Sequence, residues 1–171
     1  SLSEPTIKTT LDPVLKEIAD QRPDAFVEGV YQRQYDQSGQ LETTLVATSL
    51  LDFGDRANAE LVNPKLWLER PPATWYIEGD HGELTADRNR LRLTDNVIAN
   101  RLEKGKDPWQ LSSETLHWNQ TTDLVTSKTT TTLVQGGLES VGDELVMNLN
   151  TNEYTLGDKV RTQWRSTTSS Q

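Results

Sequence analysis

An all-β fold is what this 171-residue chain predicts, and three observations carry the prediction. Apolar and polar residues alternate with a period of two in separate segments, which gives each segment one inward and one outward face. Clusters of turn-forming residues part those segments at short intervals. Part of the pattern recurs along the chain, as stacked strand pairs require.

The elements follow in order. Up to about Arg22 the chain is polar and at best partly ordered, with one helical signal that predicts a short frayed or partner-dependent helix: Asp12 caps, Pro13 suits the first helical position, and Val14, Leu15 and Ile18 form an apolar stripe. Strands begin after residue 25. Leu66 and Leu68 alternate with Lys65 and Glu69; Leu91, Leu93, Val97 and Ala99 with Arg90, Arg92, Thr94 and Asn96. Leu116 and Trp118 alternate with His117 and Asn119, and Leu145, Met147 and Leu149 with Asn148 and Asn150. Tyr154, Leu156, Val160 and Thr162 alternate with Thr155, Gly157, Lys159 and Arg161. Turns fall at DQSGQ (36–40), NP (63–64), PP (71–72), TADRN (85–89), EKGKDP (103–108), QTTD (120–123) and Gly136-Gly137. The segment VTSKTTTTLVQGG (125–137) is extended, because threonine is β-branched, but four threonines in a row give no sharp inside and outside. The last six residues, STTSSQ, have the composition of a disordered tail. The chain thus divides into a polar segment 1–25, a β-domain 26–165 and a tail 166–171.

The repeat is clearest at an offset of 63 residues, where Gly79, Asp80, Asn89, Leu93, Asp95 and Val97 coincide with Gly142, Asp143, Asn152, Leu156, Asp158 and Val160. Weaker copies start near Ala47 and Glu114, so that Ala47, Asp80, Glu114 and Asp143 mark successive strand pairs. Units of this kind bury their apolar faces against neighbours, and the ends of the stack carry strand edges that need protection or serve for docking.

Composition narrows the function. Only 33% of residues are hydrophobic, which predicts a thin core and an open sheet. A net charge of −9 excludes nucleic acid as a partner, since phosphate binding needs clustered Lys and Arg. The absence of cysteine removes disulfides, thiol nucleophiles and thiolate metal sites. No apolar run reaches the roughly 20 residues of a membrane span. The chain starts at Ser1 without methionine, which implies processing or trimming and puts any anchor or export signal that preceded it outside this sequence.

Catalysis finds little support. His81 and His117 lie in different repeats and lack the convergent ligands of a metal site. Asp80 with Glu83, or Glu114 with Asp123, could flank a glycosidic bond, but the recurrence of Asp80, Asp95, Asp143 and Asp158 at matching positions suits turn and strand-end roles better. No phosphate-binding loop, dinucleotide fingerprint or nucleophile elbow is present, and no cofactor is expected. The five tryptophans, at 67, 75, 109, 118 and 164, fit packing or a surface for acyl chains or sugar rings.

The segments WYIEGDHGELTADRNRLRLTDNVIAN (75–100), DLVTSKTTTTLVQGG (123–137) and GDKVRTQW (157–164) resemble the periplasmic domain of the LptC family of lipopolysaccharide-export proteins, and LETTLVATSLLDFGDRANAELVNPKLWLE (41–69) fits that family's first repeat. The resemblance implies a twisted, open β-jellyroll of antiparallel strands, V-shaped in section. Its apolar groove would take lipopolysaccharide from an inner-membrane ATP-binding-cassette transporter at the N-terminal edge. It would pass the lipid to an LptA-like bridge protein at the C-terminal edge, without catalysis. It also implies a periplasmic location and an N-terminal membrane anchor absent from this chain. The expected groove lining is Ala47, Leu66, Leu68, Leu91, Leu93, Leu116, Trp118, Leu145, Met147, Leu156 and Val160. The expected partner interface is Tyr154, Arg161 and Trp164 with the family's turn glycine at Gly136 and lysine at Lys159. On this view the threonine methyls of 129–132 face lipid while their hydroxyls tolerate water; a wet edge strand is the alternative. A carbohydrate-active β-repeat enzyme and a scaffold that binds no lipid are the rival readings.

Overall fold

The computed structural model describes residues 25–54, 57–157 and 160–164; the expected N-terminal helix, Lys159 and the tail lie outside the described residues. Fourteen strands follow one another: β1 (Ala25–Tyr35), β2 (Leu41–Asp52), β3 (Ala59–Val62), β4 (Lys65–Arg70), β5 (Ala73–Glu78), β6 (His81–Leu84), β7 (Arg90–Glu103), β8 (Trp109–Asn119), β9 (Leu124–Ser127), β10 (Thr131–Gln135), β11 (Leu138–Gly142), β12 (Glu144–Asn148), β13 (Tyr154–Gly157) and β14 (Arg161–Trp164). Their pairings are antiparallel throughout.

Register sorts the strands into two walls. Wall one runs from the first half of β2 through β4, β5, the second half of β7, the first half of β8, β10 and β11 to β14. Wall two runs from the second half of β2 through β3, β6, the first half of β7, the second half of β8, β9 and β12 to β13. The long strands β2, β7 and β8 belong to both, and β1 follows β2 along almost its whole length. The result is a V-shaped jellyroll, and among the described residues its sheet does not close on itself: β1 pairs only with β2, β13 only with β12, and β14 only with β11.

The walls meet along a crease where each strand or connection bends, near residues 47–48, 63–64, 79–80, 95–96, 114, 128–130 and 143. Backbone bonds stitch it: Gly79 N–H to Pro64 O, Asn63 N–H to Asp80 O, and Asp80 N–H to Asp95 O. Asn63, Asp95 and Asn96 adopt left-handed φ of 50°, 67° and 53°, a conformation that Asn and Asp tolerate better than other side chains. The four repeat marks Ala47, Asp80, Glu114 and Asp143 all lie on the crease, so the sequence repeat is a repeat of bends. That explains why aspartate recurs there: Asp80 accepts from the Asn96 amide at 2.7 Å and Asp143 from the Thr130 hydroxyl at 3.3 Å.

The threonine run is a crossing rather than a wet edge, because β10 lies between β8 and β11. Thr131 is fully buried. It belongs to a hydroxyl cluster in which Ser113 meets Thr129 at 2.7 Å and Ser127 at 3.1 Å, so the polar atoms satisfy one another where the walls converge.

Candidate functional site

The inner faces of the two walls form one apolar layer. Ala47, Leu66, Leu68, Leu91, Leu93, Leu116, Trp118, Leu145 and Met147, all expected inside, belong to a single buried cluster, with Leu156 half-buried on its flank. Val160 departs from the expectation: it is 46% exposed. Its counterpart in the repeat, Val97, is buried where β7 pairs with β8, whereas among the described residues no strand pairs alongside Val160.

The walls touch over most of this layer. Deep inside, between Leu66, Ile77, Leu91, Leu93, Leu116, Trp118 and Val125, the cavity is about 10 Å³. Toward the mouth of the V, on the N-terminal side, a larger cavity of about 320 Å³ has an apolar floor of Leu45, Leu66, Leu84, Leu91 and Trp118 beneath a polar rim that includes Gln34 and Gln120. Those two glutamine side chains meet across the mouth at 2.5 Å. Thr43 borders the same cavity, and its buried hydroxyl has no hydrogen-bond partner among the described residues.

Farther along, two arginines bridge the walls. Arg70 takes the inward position after Leu66 and Leu68, and Arg101 the one after Val97 and Ala99. Arg70 Nε and Nη2 donate to Asp123 Oδ2 and Oδ1 at 2.5 and 3.0 Å, both side chains being under 10% exposed, and Nη1 donates to the carbonyls of Glu42 and Glu69. The indole N–H of Trp118 donates to Asp123 Oδ1 at 3.0 Å. Arg101 Nε donates to Asn152 Oδ1 at 2.9 Å, Nη1 pairs with Glu103 at 2.9 Å, and the guanidinium lies 5.2 Å from the Trp109 ring. Asp123 and Asn152 end turns of the same design: Asn119 Oδ1 accepts from the N–H groups of Thr121 and Thr122, and Asn148 Oδ1 from those of Asn150 and Thr151. Both turns close on a left-handed residue, φ 58° and 62°. Neither arginine stands out from alternation of apolar residues; the signal in the sequence is a cation in the apolar phase of a strand.

Three of the carboxylates considered for catalysis are engaged elsewhere. Asp123 is held by Arg70 and Trp118, Asp80 by Asn96, and Glu83 by Asn58 and Arg92. Among the described residues no group of His, Asp and Glu is placed to hold a metal ion, and no helix is long and apolar enough to cross a membrane. His81 sits on the surface beside Asp95, and His117 on the outer face of wall two opposite Arg92.

At the C-terminal end the expected interface residues separate. Trp164 is 76% exposed on β14 and Arg161 is exposed beside it. Tyr154 is turned inward instead, its ring edge-on to Trp109 at 5.7 Å. Gly136 occupies the β10–β11 turn at φ 58°, and a Cβ there would stand 3.1 Å from Asp107 Oδ2.

The comparisons agree with this architecture. Lipopolysaccharide export system protein LptC from Escherichia coli K12 is 29% identical over 133 residues, covering 76% of this chain and 69% of its own, and the Shigella flexneri protein of the same name matches equally. The crystal structure of LptH from Pseudomonas aeruginosa, the LptA homologous periplasmic component of a lipopolysaccharide transport device, superposes with a TM-score of 0.58 at 11% identity, over 72% of this chain and 94% of LptH. That likeness establishes the shared fold. A family model for lipopolysaccharide assembly, LptC-related, matches residues 6–165, beginning well upstream of residue 26. With that match over nearly all of its length, the chain belongs to the LptC-related family of lipopolysaccharide-assembly proteins.

Proposed function

We propose that this protein carries lipopolysaccharide through the periplasm without catalysing a reaction, holding acyl chains between its walls. The observation that carries the reading is the continuous apolar layer between two walls whose sheet ends in strand edges, on a chain of a lipopolysaccharide-assembly family. Contacts within that layer are apolar and non-directional, so an acyl chain can replace the opposite wall's side chains without leaving polar groups unpaired. Burial of lipid at roughly 25 cal/mol per Å² drives retention without a specific site. Because the deep interior leaves only about 10 Å³, passage of a chain beyond the mouth cavity parts the walls.

In this reading an inner-membrane ATP-binding-cassette transporter delivers lipid at the β1 edge, an LptA-like bridge protein adds its own strand at the β14 edge, and an inner-membrane anchor precedes the domain. Lys159, outside the described residues, and Arg161 lend local positive charge to a chain of net −9. A photo-crosslinking residue at Leu93 or Met147 tests the carrier role in the presence of purified lipopolysaccharide. Adducts from these inner positions are expected; their absence from every inner position leaves only a scaffold. Gln163→Pro, which blocks strand addition at β14, is expected to abolish copurification with the bridge protein while the domain stays folded.

A further inference from the structure

Resting on the carrier reading, we infer that Arg70, Asp123 and Trp118 form a latch across the mouth of the V, and that an anionic amphiphile opens it by offering its phosphate to Arg70 in place of the Asp123 carboxylate.

Position comes first. The walls are joined covalently at the crease, so what keeps the opposite side shut is contact between rims. Arg70 ends β4 in wall one; Asp123 ends the β8–β9 turn in wall two. Trp118 connects latch and cavity, because its ring floors the 320 Å³ mouth cavity while its N–H binds Asp123. A chain entering that cavity therefore pushes on the residue that orients the carboxylate. The Gln34–Gln120 contact spans the same cavity and yields at little cost, since both residues can turn to water.

Chemistry selects the key. Arginine stays charged at any relevant pH, so it leaves a buried carboxylate only for water or another anion. Phosphate accepts the same two parallel N–H bonds that Asp123 accepts now. Once the mouth widens, Asp123 meets solvent and keeps the Trp118 donor, and the buried Thr43 hydroxyl gains access to partners. Arg101 is the second rung: its bond across the mouth goes to the neutral Asn152, which offers less resistance once the charged rung has parted. A chain of net −9 repels an anionic headgroup in general, and this exchange gives the headgroup a cation at the point where its tails enter.

The chain has no cysteine, so spin labels attach only where introduced. Labels at Lys104→Cys on the wall-one rim and Thr122→Cys on the wall-two rim report the width of the mouth by double electron–electron resonance. One short distance is expected for the free protein, a shift to longer distance with purified lipopolysaccharide, and no shift with the same lipid stripped of phosphate. Asp123→Asn is expected to show the longer distance without lipid. If that variant does not fold, Trp118→Phe, which removes one donor and keeps the ion pair, is expected to give a smaller longer-distance fraction. Lipid adducts from a photo-crosslinker at Leu84 with unchanged distances would overturn the latch and leave the carrier standing. Equal widening by both lipids would overturn the phosphate exchange. No adducts from any inner position would remove the carrier reading, and the lipid's part in the latch with it.

Discussion

The Arg70–Asp123 bridge makes a thermodynamic prediction with a definite shape. Arg70→Met leaves a carboxylate 6% exposed with its guanidinium gone; Asp123→Asn leaves a guanidinium 8% exposed beside a neutral amide. Each single change strands a buried charge, which costs about 3–5 kcal/mol. Asparagine keeps an acceptor for Trp118 and tolerates the left-handed φ of 58° at this position, so the loss reports on charge rather than on turn geometry. The double variant strands neither charge. It forfeits chiefly the two bonds from Arg70 to the carbonyls of Glu42 and Glu69, worth about 1 kcal/mol each.

The double variant is therefore expected to be more stable than either single variant, with a coupling of about 3 kcal/mol or more. Urea unfolding followed by tryptophan fluorescence measures all four proteins, provided the m-value stays constant across the set. With about 2–4 °C in Tm per kcal/mol for a chain of this size, the effect is also visible by calorimetry. A double variant that loses the sum of the two single losses would refute the reasoning, since the partners would then act independently.

Two further outcomes are expected. Gly136→Val should cost about 1–3 kcal/mol, because a β-branched residue is strained at φ 58° and its Cβ would crowd Asp107; loss of bridge-protein binding at unchanged Tm would instead make Gly136 a direct contact. His117 has its pKa lowered by partial burial, with Arg92 and Lys128 adding to the effect and Glu83 opposing it. The unfolded chain then takes up the proton more readily than the folded one. This contribution to stability is complete above about pH 6.5 and is lost as pH falls through the lowered folded value. His117→Gln should flatten that part of the pH–Tm curve, and an unchanged slope would refute it.

Much of the architecture was legible because it rests on period-two alternation, which each strand carries locally. Leu91 and Leu93, or Leu145 and Met147, point inward wherever the strand lies, so the inner layer followed from spacing alone. The crease was half legible. Asp80 and Asp143 revealed that something recurs, but not that the recurring feature is a bend between walls, since a bend depends on which strands pair at either side. The threonine run shows the limit: Thr131 and Ser113 become partners only when β8 and β10 lie side by side, and no local pattern announces a shared hydroxyl cluster. The same limit hid the latch. Arg70 and Asp123 are 53 positions apart, and the ion pair exists only because the V folds their two rims together.

The ends of the stack carry the last step. Natural sheets blunt their edges with Pro, Lys, short strands or bulges, because an unpaired edge invites another strand. Here β1 runs for 11 residues with no Pro or Lys, and its exposed Phe26, Val27, Tyr31 and Tyr35 lie on the outermost strand of the described sheet. At the other end, Trp164 lies on β14, and Val160 holds the repeat position that buries Val97 in the interior. Repeat stacks that work alone finish in polar caps. Among the described residues Val160 stays exposed beside β14, so under the proposed reading a partner strand added at that edge would cover it.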